Sequence, residues 1–220
     1  MNTITIRPFA ALKLLTFAAL SLGGCHVGGI KGNGHLVTEN RTVQEFTGVD
    51  AEGAFDIEWV AGPASCSIRT DENLLRHVET SMDGNVLRLE WHGQLRPTRG
   101  MKVRISSNSL SGARLTGAVR LSATRLNGKG FYLDGTGATR VTVDGNVNEL
   151  MATMAGASKL VAESLHVKVA ELSISGAGKA EVSASDILKV AISGAGKVTY
   201  YGNPRLEKHI SGAGSVRQRD

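Results

Sequence analysis

Aromatic side chains are scarce in this chain of 220 residues, of which phenylalanine, tyrosine and tryptophan make up only 5%. There are also only four prolines and two cysteines. The low aromatic content argues against an ordinary β-sandwich, whose core is built around large rings. The 27 glycines instead favour a fold with many tight turns and small inward-facing side chains, and the chain is long enough to bury a real core.

A long hydrophobic run is absent as well. The most apolar stretch, residues 14–22, has nine residues, whereas a membrane-spanning helix needs about 20. It follows Arg7 and Lys13 and is followed by Gly23, Gly24 and Cys25, an arrangement typical of a secretory signal. The sequence therefore predicts a signal peptide over residues 1–24.

Residues 22–25, Leu-Gly-Gly-Cys, resemble a bacterial lipobox, in which the cysteine is lipidated and becomes the first residue. We therefore expect a membrane anchor on Cys25 and a lipidated tether over residues 25–34. The alternative is a plain signal peptide with a coincidental cysteine. His26, not aspartate, follows the cysteine, and the resemblance to enterobacterial lipoproteins then implies sorting to the outer membrane.

Disulfides and nucleic-acid binding have little support. Once Cys25 carries lipid, Cys66 is the only remaining thiol, so no intrachain disulfide can form. Cys66 lies in an alternating segment, where a small buried hydrophobe is expected rather than a nucleophile. The net charge of +5 falls to 5 − 2 = +3 when Arg7 and Lys13 are removed. This mild excess gives no reason to expect a nucleic-acid partner.

Residues 35–110 contain short alternating segments. Apolar and polar residues alternate with period two over residues 55–60, 66–69, 86–91 and 101–105, as they do in half-buried strands. Residues 83–85, Asp-Gly-Asn, predict a turn between two of these strands. Residues 72–81 alone have helical spacing. We therefore expect a strand-rich N-terminal part with one short helix.

Residues 111–220 contain a repeat. Six units share the pattern Gly-Ala-x-basic-apolar, except that Ser215 replaces the basic residue of the last unit. The units begin at Gly117, Gly137, Gly156, Gly176, Gly194 and Gly212. Intervals of 18–20 residues suit a coil of three short strands, and stacking such coils buries columns of apolar side chains. We therefore predict an all-β protein with a parallel β-helix (β-solenoid) of roughly six coils, continuous with the N-terminal part.

Several sequence elements carry a resemblance to a known family. They are RTVQEFTGV at residues 41–49, GAFDI at 53–57, TDENLL at 70–75 and the repeated Ile-Ser-Gly-Ala-Gly. With them, residues 34–220 resemble the bacterial "putative auto-transporter adhesin, head GIN domain" proteins. The resemblance implies a right-handed parallel β-helix in an exported, often lipid-anchored protein. That family has no established biochemical function, so no catalytic or binding residue is carried over.

The segment Ser-Gly-Ala-Gly-Lys, at residues 175–179 and again at 193–197, looks at first like a phosphate-binding loop. Such a loop needs an earlier glycine, a serine or threonine after the lysine, and a following helix. The chain has Ser173 and Ala191 at the first of these places and Ala180 and Val198 at the second, and strand-like alternation resumes afterwards. We expect no nucleotide or other cofactor.

The basic residues of the repeat form the one candidate site. If the coils stack in register, they make an outward-facing column, here named the basic ladder: Arg120, Arg140, Lys159, Lys179 and Lys197. Like charges directly opposite one another are mildly destabilising, so five in a row require a reason. One interpretation is that they only keep the turn soluble. The other is that they bind a polyanion such as an acidic polysaccharide or lipopolysaccharide.

Together these features predict a non-catalytic lipoprotein of the bacterial cell envelope that uses its solenoid surface for adhesion. The alternatives are a carbohydrate-active β-helix lyase or hydrolase and a purely structural envelope component. A glycosidase needs two carboxylates about 5–10 Å apart, but the acids of the repeats share no column. The histidines show no close ligand pair for a metal. Trp59 and Trp91 are possible sugar platforms, although packing is the favoured interpretation of both.

Overall fold

A computed structural model describes residues 28–219 of the chain. The predicted signal peptide and the predicted lipidation site Cys25 lie outside the described residues. The structure is nearly all β, with 72% strand and 3% helix, which confirms the predicted fold class. No helix within residues 28–219 has the length and apolar character needed to cross a membrane.

Seventeen strands and one 3₁₀ helix are present in the described residues. In chain order they are Ile30–Lys31 (β1), Leu36–Arg41 (β2), Gly48–Gly53 (β3), Asp56–Ala61 (β4), Ser65–Asp71 (β5), the 3₁₀ helix Glu72–His77 (η1), Val78–Asp83 (β6), Val86–Trp91 (β7), Leu95–Arg96 (β8), Lys102–Ser107 (β9), Gly112–Gly117 (β10), Arg120–Gly137 (β11), Arg140–Gly156 (β12), Lys159–Gly176 (β13), Lys179–Gly194 (β14), Lys197–Tyr201 (β15), Arg205–Ser211 (β16) and Ser215–Gln218 (β17).

Successive coils pair in parallel and form a solenoid of about five turns, slightly fewer than the six coils predicted from the repeat. Strands β11 to β14 bend and contribute to two faces. The first face contains β7, β3, β10, the second halves of β11 to β14, and β16. The second face contains β9, β4, the first halves of β11 to β14, β15 and β17. A short third side, with Asn127, Asn146 and His166 in successive rows, completes the coil.

Glycines form the corner between the first and second faces. This corner column has positive φ throughout, from +85° to +141°, and contains Gly53, Gly117, Gly137, Gly156, Gly176, Gly194 and Gly212. From Gly117 onward, a Cβ on any of them would lie 2.4–2.8 Å from the carbonyl oxygen of the preceding corner glycine. The same oxygen accepts the next amide, as when Ala157 donates to Gly137 at 2.9 Å. Both the conformation and the close approach of the coils therefore require glycine here.

Inside the corner, the residue two places before the glycine packs against the residue two places after it. A Cβ on Gly178 would lie 2.8 Å from Cγ2 of Ile174, so the large isoleucine requires a glycine opposite. Two coils earlier, at the corner of Gly137, the glycine comes before the corner and the larger residue after it: a Cβ on Gly135 would lie 2.7 Å from Oγ1 of Thr139. At these two corners a glycine at one place makes room for the side chain at the other, as close packing demands.

The predicted apolar columns are confirmed. Ile174, Ile192 and Ile210 are partners in successive rows, and the first two are only 1% exposed. Ala180 and Val198 are paired in the same way on the second face and are equally buried. These narrow coils have room for small and medium side chains, which explains the low aromatic content.

The N-terminal part belongs to the same sheet as the repeats. Strand β3 pairs in parallel with β10 and with β7, and β4 pairs in parallel with β11 and with β9. Gly53 is therefore the first corner glycine, in register with Gly117. The antiparallel strands β2, β5 and β6 extend the sheet at this end of the solenoid.

The four strands predicted in the N-terminal part are confirmed as β4, β5, β7 and β9, and Gly84 (φ +57°) lies in the predicted turn between β6 and β7. The one short helix is confirmed, but its predicted extent over residues 72–81 is wrong. It ends at His77, and Val78 begins β6. Val78 and Thr80 pair with Trp91 and Leu89 of β7; β-branched residues fit that pairing better than a further helical turn.

Residues 28–34, the described part of the predicted tether, contact the body of the protein. Strand β1 pairs with β8, and the buried carboxylate of Asp71 accepts hydrogen bonds from Gly34 N–H at 2.7 Å and from the Thr98 N–H and hydroxyl at 2.8 Å each. A Cβ on Gly32 would lie 2.3 Å from this carboxylate. Asp71 therefore joins the start of the described chain to the loop that precedes β9.

Candidate anion-binding ladder

The five residues of the basic ladder occupy successive rows of the second face. Arg120 is the partner of Arg140, Arg140 of Lys159, Lys159 of Lys179, and Lys179 of Lys197. With rows about 4.8 Å apart, the ladder is about 19 Å long at its backbone. The in-register stacking that the repeat predicted is thus present in the structure.

Local sequence makes the ladder point outward. Each basic residue comes directly before an apolar residue that enters the core, such as Leu121, Val141 or Leu160, all 2% exposed or less. Because side chains alternate along a strand, the preceding residue must face solvent. The backbone of each basic residue is also fixed, since its N–H donates to a carbonyl of the previous coil at 2.7–2.9 Å.

Most of the ladder lacks a neutralising partner. Lys159 alone forms an ion pair, with its Nζ 3.2 Å from Oε1 of Glu181. Within residues 28–219, no carboxylate lies within 4.0 Å of the charged nitrogens of the other four members, Arg120, Arg140, Lys179 and Lys197. All four are exposed. The ladder therefore presents positive charge to solvent along most of its length.

The column of cations continues beyond the repeats. Asp56 is the partner of Arg120 in the preceding row, and Lys102 and Arg69 follow in the next two rows. The sequence could not show this continuation, because β9 and β5 lie outside the repeat and β5 runs antiparallel to β9. This outward column of the second face thus has seven cations and one anion in eight consecutive rows.

Small side chains lie beside the ladder. The adjacent outward column includes Ser122, Thr142, Val161 and Thr199 in the repeat coils. None of these is long enough to cover the basic side chains. Glu181 is the exception, and it belongs to the Lys159 ion pair. An extended ligand thus has open access to the ladder from the side of this column.

The remaining candidates from the sequence have structural roles. Cys66 is 2% exposed, and burial raises the pKa of its thiol to about 11 although nearby Arg41 lowers it; such a thiol is a poor nucleophile. Trp59 is 1% exposed and donates to Ser107 Oγ at 2.9 Å. Trp91 packs edge-on against Phe55, with ring centroids 6.1 Å apart. Trp59 therefore presents no ring face to a sugar, and Trp91 is half-buried and packs against the core.

One convergence of ligand-type groups was missed by the sequence. Glu79 and Glu90 are partners across β6 and β7, and with His92 their ligand atoms lie within 4.8 Å of one another. Both glutamates fall on one face of an antiparallel pair, which spacing along the chain does not reveal. His92 Nε2 is already 3.0 Å from a Glu79 oxygen, so the group is explained by its internal contact.

A second feature that sequence analysis missed is an aromatic ring on the first face. Tyr132 is 50% exposed and Met151, its partner in the next row, is 43% exposed. The signal was present in the sequence, because Phe131 and Tyr132 are adjacent and only one of two neighbouring strand residues can enter the core. Phe131 is fully buried, so Tyr132 must face outward.

Comparison with known proteins gives the same fold. No curated protein matches the chain. Among solved structures, a "putative adhesin" from Bacteroides fragilis NCTC 9343 superimposes with a TM-score of 0.72 at 20% identity, covering 87% of this chain and all of the other. A "putative lipid binding protein" from Parabacteroides distasonis ATCC 8503 gives a TM-score of 0.53 at 21% identity, covering 87% and 99%.

The family model for the "putative auto-transporter adhesin, head GIN domain" matches residues 45–204. This match includes the N-terminal strands from β3 onward, all of β11 to β14 and every member of the basic ladder. It confirms the resemblance drawn from RTVQEFTGV, GAFDI and the repeated glycine corner. The chain belongs to the family of the "putative auto-transporter adhesin, head GIN domain".

Proposed function

We propose that this protein is a non-catalytic lipoprotein of the bacterial cell envelope that adheres to an acidic polysaccharide through its basic ladder. The single observation that carries the proposal is the stacking of five cations in register, four of them without a carboxylate within 4.0 Å among residues 28–219. The adhesin description of the family and of the B. fragilis relative supports the adhesive part.

The spacing of the ladder suits a ligand with many charges. Neighbouring rows are about 4.8 Å apart, which is shorter than the Debye length of about 8 Å at physiological ionic strength. The fields of adjacent cations therefore add, and one anionic group interacts with at least two of them. A single exposed contact contributes only about 0.2–1 kcal/mol, so useful affinity requires a polyanion that contacts several rows.

The competing interpretation is that the ladder only maintains solubility. Charges scattered over both faces would serve that purpose without placing like charges in adjacent rows, where they repel one another. The outward columns of the first face are built differently, with Arg88, Asp50, Arg114 and Asp134 alternating in sign. Five cations in adjacent rows of one column are better explained by a ligand than by solubility.

The proposed location follows from the N-terminal sequence. We place the protein at the envelope through a lipid on Cys25, in the outer membrane, as the lipobox resemblance implies. From Ile30 the chain is attached to the body by the β1–β8 pairing. The proposed anchor is therefore only a few residues from the N-terminal end of the solenoid, which would keep the solenoid close to the membrane.

Reversing three charges should abolish most of the binding. In the lipid-free chain from residue 26 onward, Lys159→Glu, Lys179→Glu and Lys197→Glu together should weaken binding to an acidic polysaccharide or to lipopolysaccharide by about a hundredfold or more. The reason is that three contacts change by roughly 1 kcal/mol each and 1.4 kcal/mol is tenfold. Surface plasmon resonance on immobilised alginate, heparin and lipopolysaccharide measures this.

The matched control reverses three exposed lysines on the other sides, Lys129, Lys168 and Lys189, with the same change in net charge. This control should retain most of the affinity, and circular dichroism should show that both variants are folded. Equal loss in the two variants would mean that net charge alone drives binding. Unchanged binding after reversal of the ladder would remove the proposal.

A further inference from the structure

The first face contains a groove that the basic ladder does not explain. It has a volume of about 520 Å³ and lies over β3, β7, β10 and the second halves of β11 and β12. Its floor is formed where two adjacent rows have glycine at an outward position, Gly48 and Gly112. With no side chains in these two rows, the peptide backbone itself forms the floor.

The two ends of the groove are apolar, and one of them contains a ring. In the same outward column as the two glycines, Val86 lies in the row on one side, and Tyr132 and Met151 lie in the two rows on the other. Tyr132 and Met151 are two of the three exposed large apolar residues in the described chain. Gly130 leaves room for the tyrosine ring, since a Cβ there would lie only 3.4 Å from the Tyr132 hydroxyl.

One side wall of the groove is polar and contains charges of both signs. The next outward column contains Arg88, Asp50, Arg114 and Asp134 in successive rows, with charged atoms 4.0 Å apart between Arg88 and Asp50, 4.0 Å between Asp50 and Arg114, and 3.7 Å between Arg114 and Asp134. These separations are longer than a hydrogen bond, so the donors of Arg114 and the acceptors of Asp50 and Asp134 remain available, whereas Arg88 also pairs with Glu90 at 3.0 Å. Asp83 lines the groove as well, 3.8 Å from Arg88, so two arginines face three aspartates, and this small negative excess favours a neutral sugar over an acidic one.

The floor excludes an added strand. Both β3 and β10 are paired on each side, so their backbone groups are already used, and a peptide cannot bind there by extending the sheet. The occupant must instead use an apolar surface against Tyr132 and polar groups against the alternating wall. A pyranose has this character, because its C–H face packs on an aromatic ring while its hydroxyl groups both donate and accept hydrogen bonds.

We propose that this groove binds one or two residues of a neutral saccharide, stacked on Tyr132, with hydroxyl groups held by Arg88, Asp50, Arg114 and Asp134. Met151 extends the apolar platform to a neighbouring sugar. The site is independent of the basic ladder, which lies on the second face around the glycine corner. The protein thus has separate surfaces for an uncharged and an anionic part of a glycan.

The test uses an array of neutral oligosaccharides built from glucose, galactose, mannose and N-acetylglucosamine, followed by saturation-transfer NMR on those that bind. Tyr132→Ala should weaken binding at least about tenfold, as loss of a central aromatic contact does. Gly112→Val should weaken it similarly by filling the floor. Gly112 has no positive φ, and a Cβ there would lie 3.3 Å from a backbone oxygen, so only a small adjustment is needed.

Two controls separate this site from the ladder. Glu171→Ala changes the same outward column one row beyond Met151 and should leave neutral-sugar binding unchanged. The reversal of Lys159, Lys179 and Lys197 should also leave it unchanged, while it removes polyanion binding. Thermal melts of each variant check folding.

The proposal is overturned if no neutral oligosaccharide on the array binds. It is also overturned if binding persists in both Tyr132→Ala and Gly112→Val, or if the only glycans bound are acidic and are lost with the ladder. That last outcome would support the basic ladder while removing the groove. If neutral sugars bind through Tyr132 and no polyanion binds, the groove is supported and the function proposed for the basic ladder is removed.

Discussion

Gly156→Ala should lower the free energy of unfolding by about 3 kcal/mol or more. The φ of Gly156 is +85°, and a side chain in the left-handed region costs roughly 1–2 kcal/mol. In addition, the new Cβ would lie 2.6 Å from the carbonyl oxygen of Gly137. Relief of that contact must separate two coils and weaken the 2.9 Å hydrogen bond from Ala157 to the same oxygen. Urea unfolding followed by circular dichroism measures the loss.

Gly84→Ala is the matched control. Gly84 also has positive φ, +57°, but a Cβ on it has no heavy atom within 4 Å. This variant therefore has only the conformational cost of about 1–2 kcal/mol. The difference between the two variants measures the close approach of the coils at the corner. Equal losses would show that the coils do not approach as closely as the structure has them.

Asp71→Ala should lower the free energy of unfolding at neutral pH by about 3 kcal/mol. The residue is 0% exposed, and its loss leaves the N–H groups of Gly34 and Thr98 without their carboxylate acceptor. Each hydrogen bond to a charged group contributes about 1.5–3 kcal/mol. Amide exchange should rise at residues 30–34 and around Thr98, because the carboxylate joins these segments. Urea unfolding combined with hydrogen–deuterium exchange tests both effects.

The same carboxylate should make stability depend on pH. Burial alone raises the pKa of Asp71, but the hydrogen bonds from Thr98 and Gly34 outweigh it, so the pKa lies below its ordinary value of 3.8. A carboxyl with a depressed folded-state pKa stabilises the fold above the unfolded pKa. This contribution is lost as the pH falls below 3.8 and through the folded-state value.

Asp71→Asn tests this dependence, with Asp56→Asn as the control at an exposed position. The stability of the wild type should fall between pH 5 and pH 2 more steeply than that of Asp71→Asn, whereas Asp56→Asn should follow the wild type. Parallel pH profiles for the wild type and Asp71→Asn would contradict the role assigned to the buried carboxylate.

The repeat made the solenoid and its ladder predictable from sequence. Six units of Gly-Ala-x-basic-apolar recur every 18–20 residues, and this near-regular interval predicts the register that places Arg120, Arg140 and Lys159 in adjacent rows. The ion pair between Lys159 and Glu181 follows from the same register, since Glu181 stands two places after Lys179. Local periodicity is sufficient where each coil repeats the one before it.

The first coil was not predictable in this way. Gly53 occupies the same corner as Gly117, but β5 to β9 are inserted between them, and this insertion breaks the interval. The continuation of the ladder through Asp56, Lys102 and Arg69 could not be predicted from the sequence for the same reason. Pairing between strands distant in sequence depends on the three-dimensional fold and leaves no periodic trace.

The groove was missed because its main feature is an absence of side chains. Gly48 and Gly112 lie in different segments, and they become neighbours in one outward column only through the pairing of β3 with β10. Asp50 and Asp134 likewise share an outward column only once β10 is placed between them. The sequence showed that the acids of the repeats were scattered, but it could not show an acid of the first coil beside them.

The proposed function depends on the stacking of the cations in successive rows of one column, not on their number. It is tested most directly by moving two of them at constant net charge: Lys179→Ser and Lys197→Ser combined with Ser173→Lys and Asn148→Lys, which place the charges at exposed positions on the other two sides. Affinity for an acidic polysaccharide at physiological salt should fall about 5- to 30-fold, as expected for two lost contacts of up to roughly 1 kcal/mol each. Affinity equal to that of the wild type would contradict the claim.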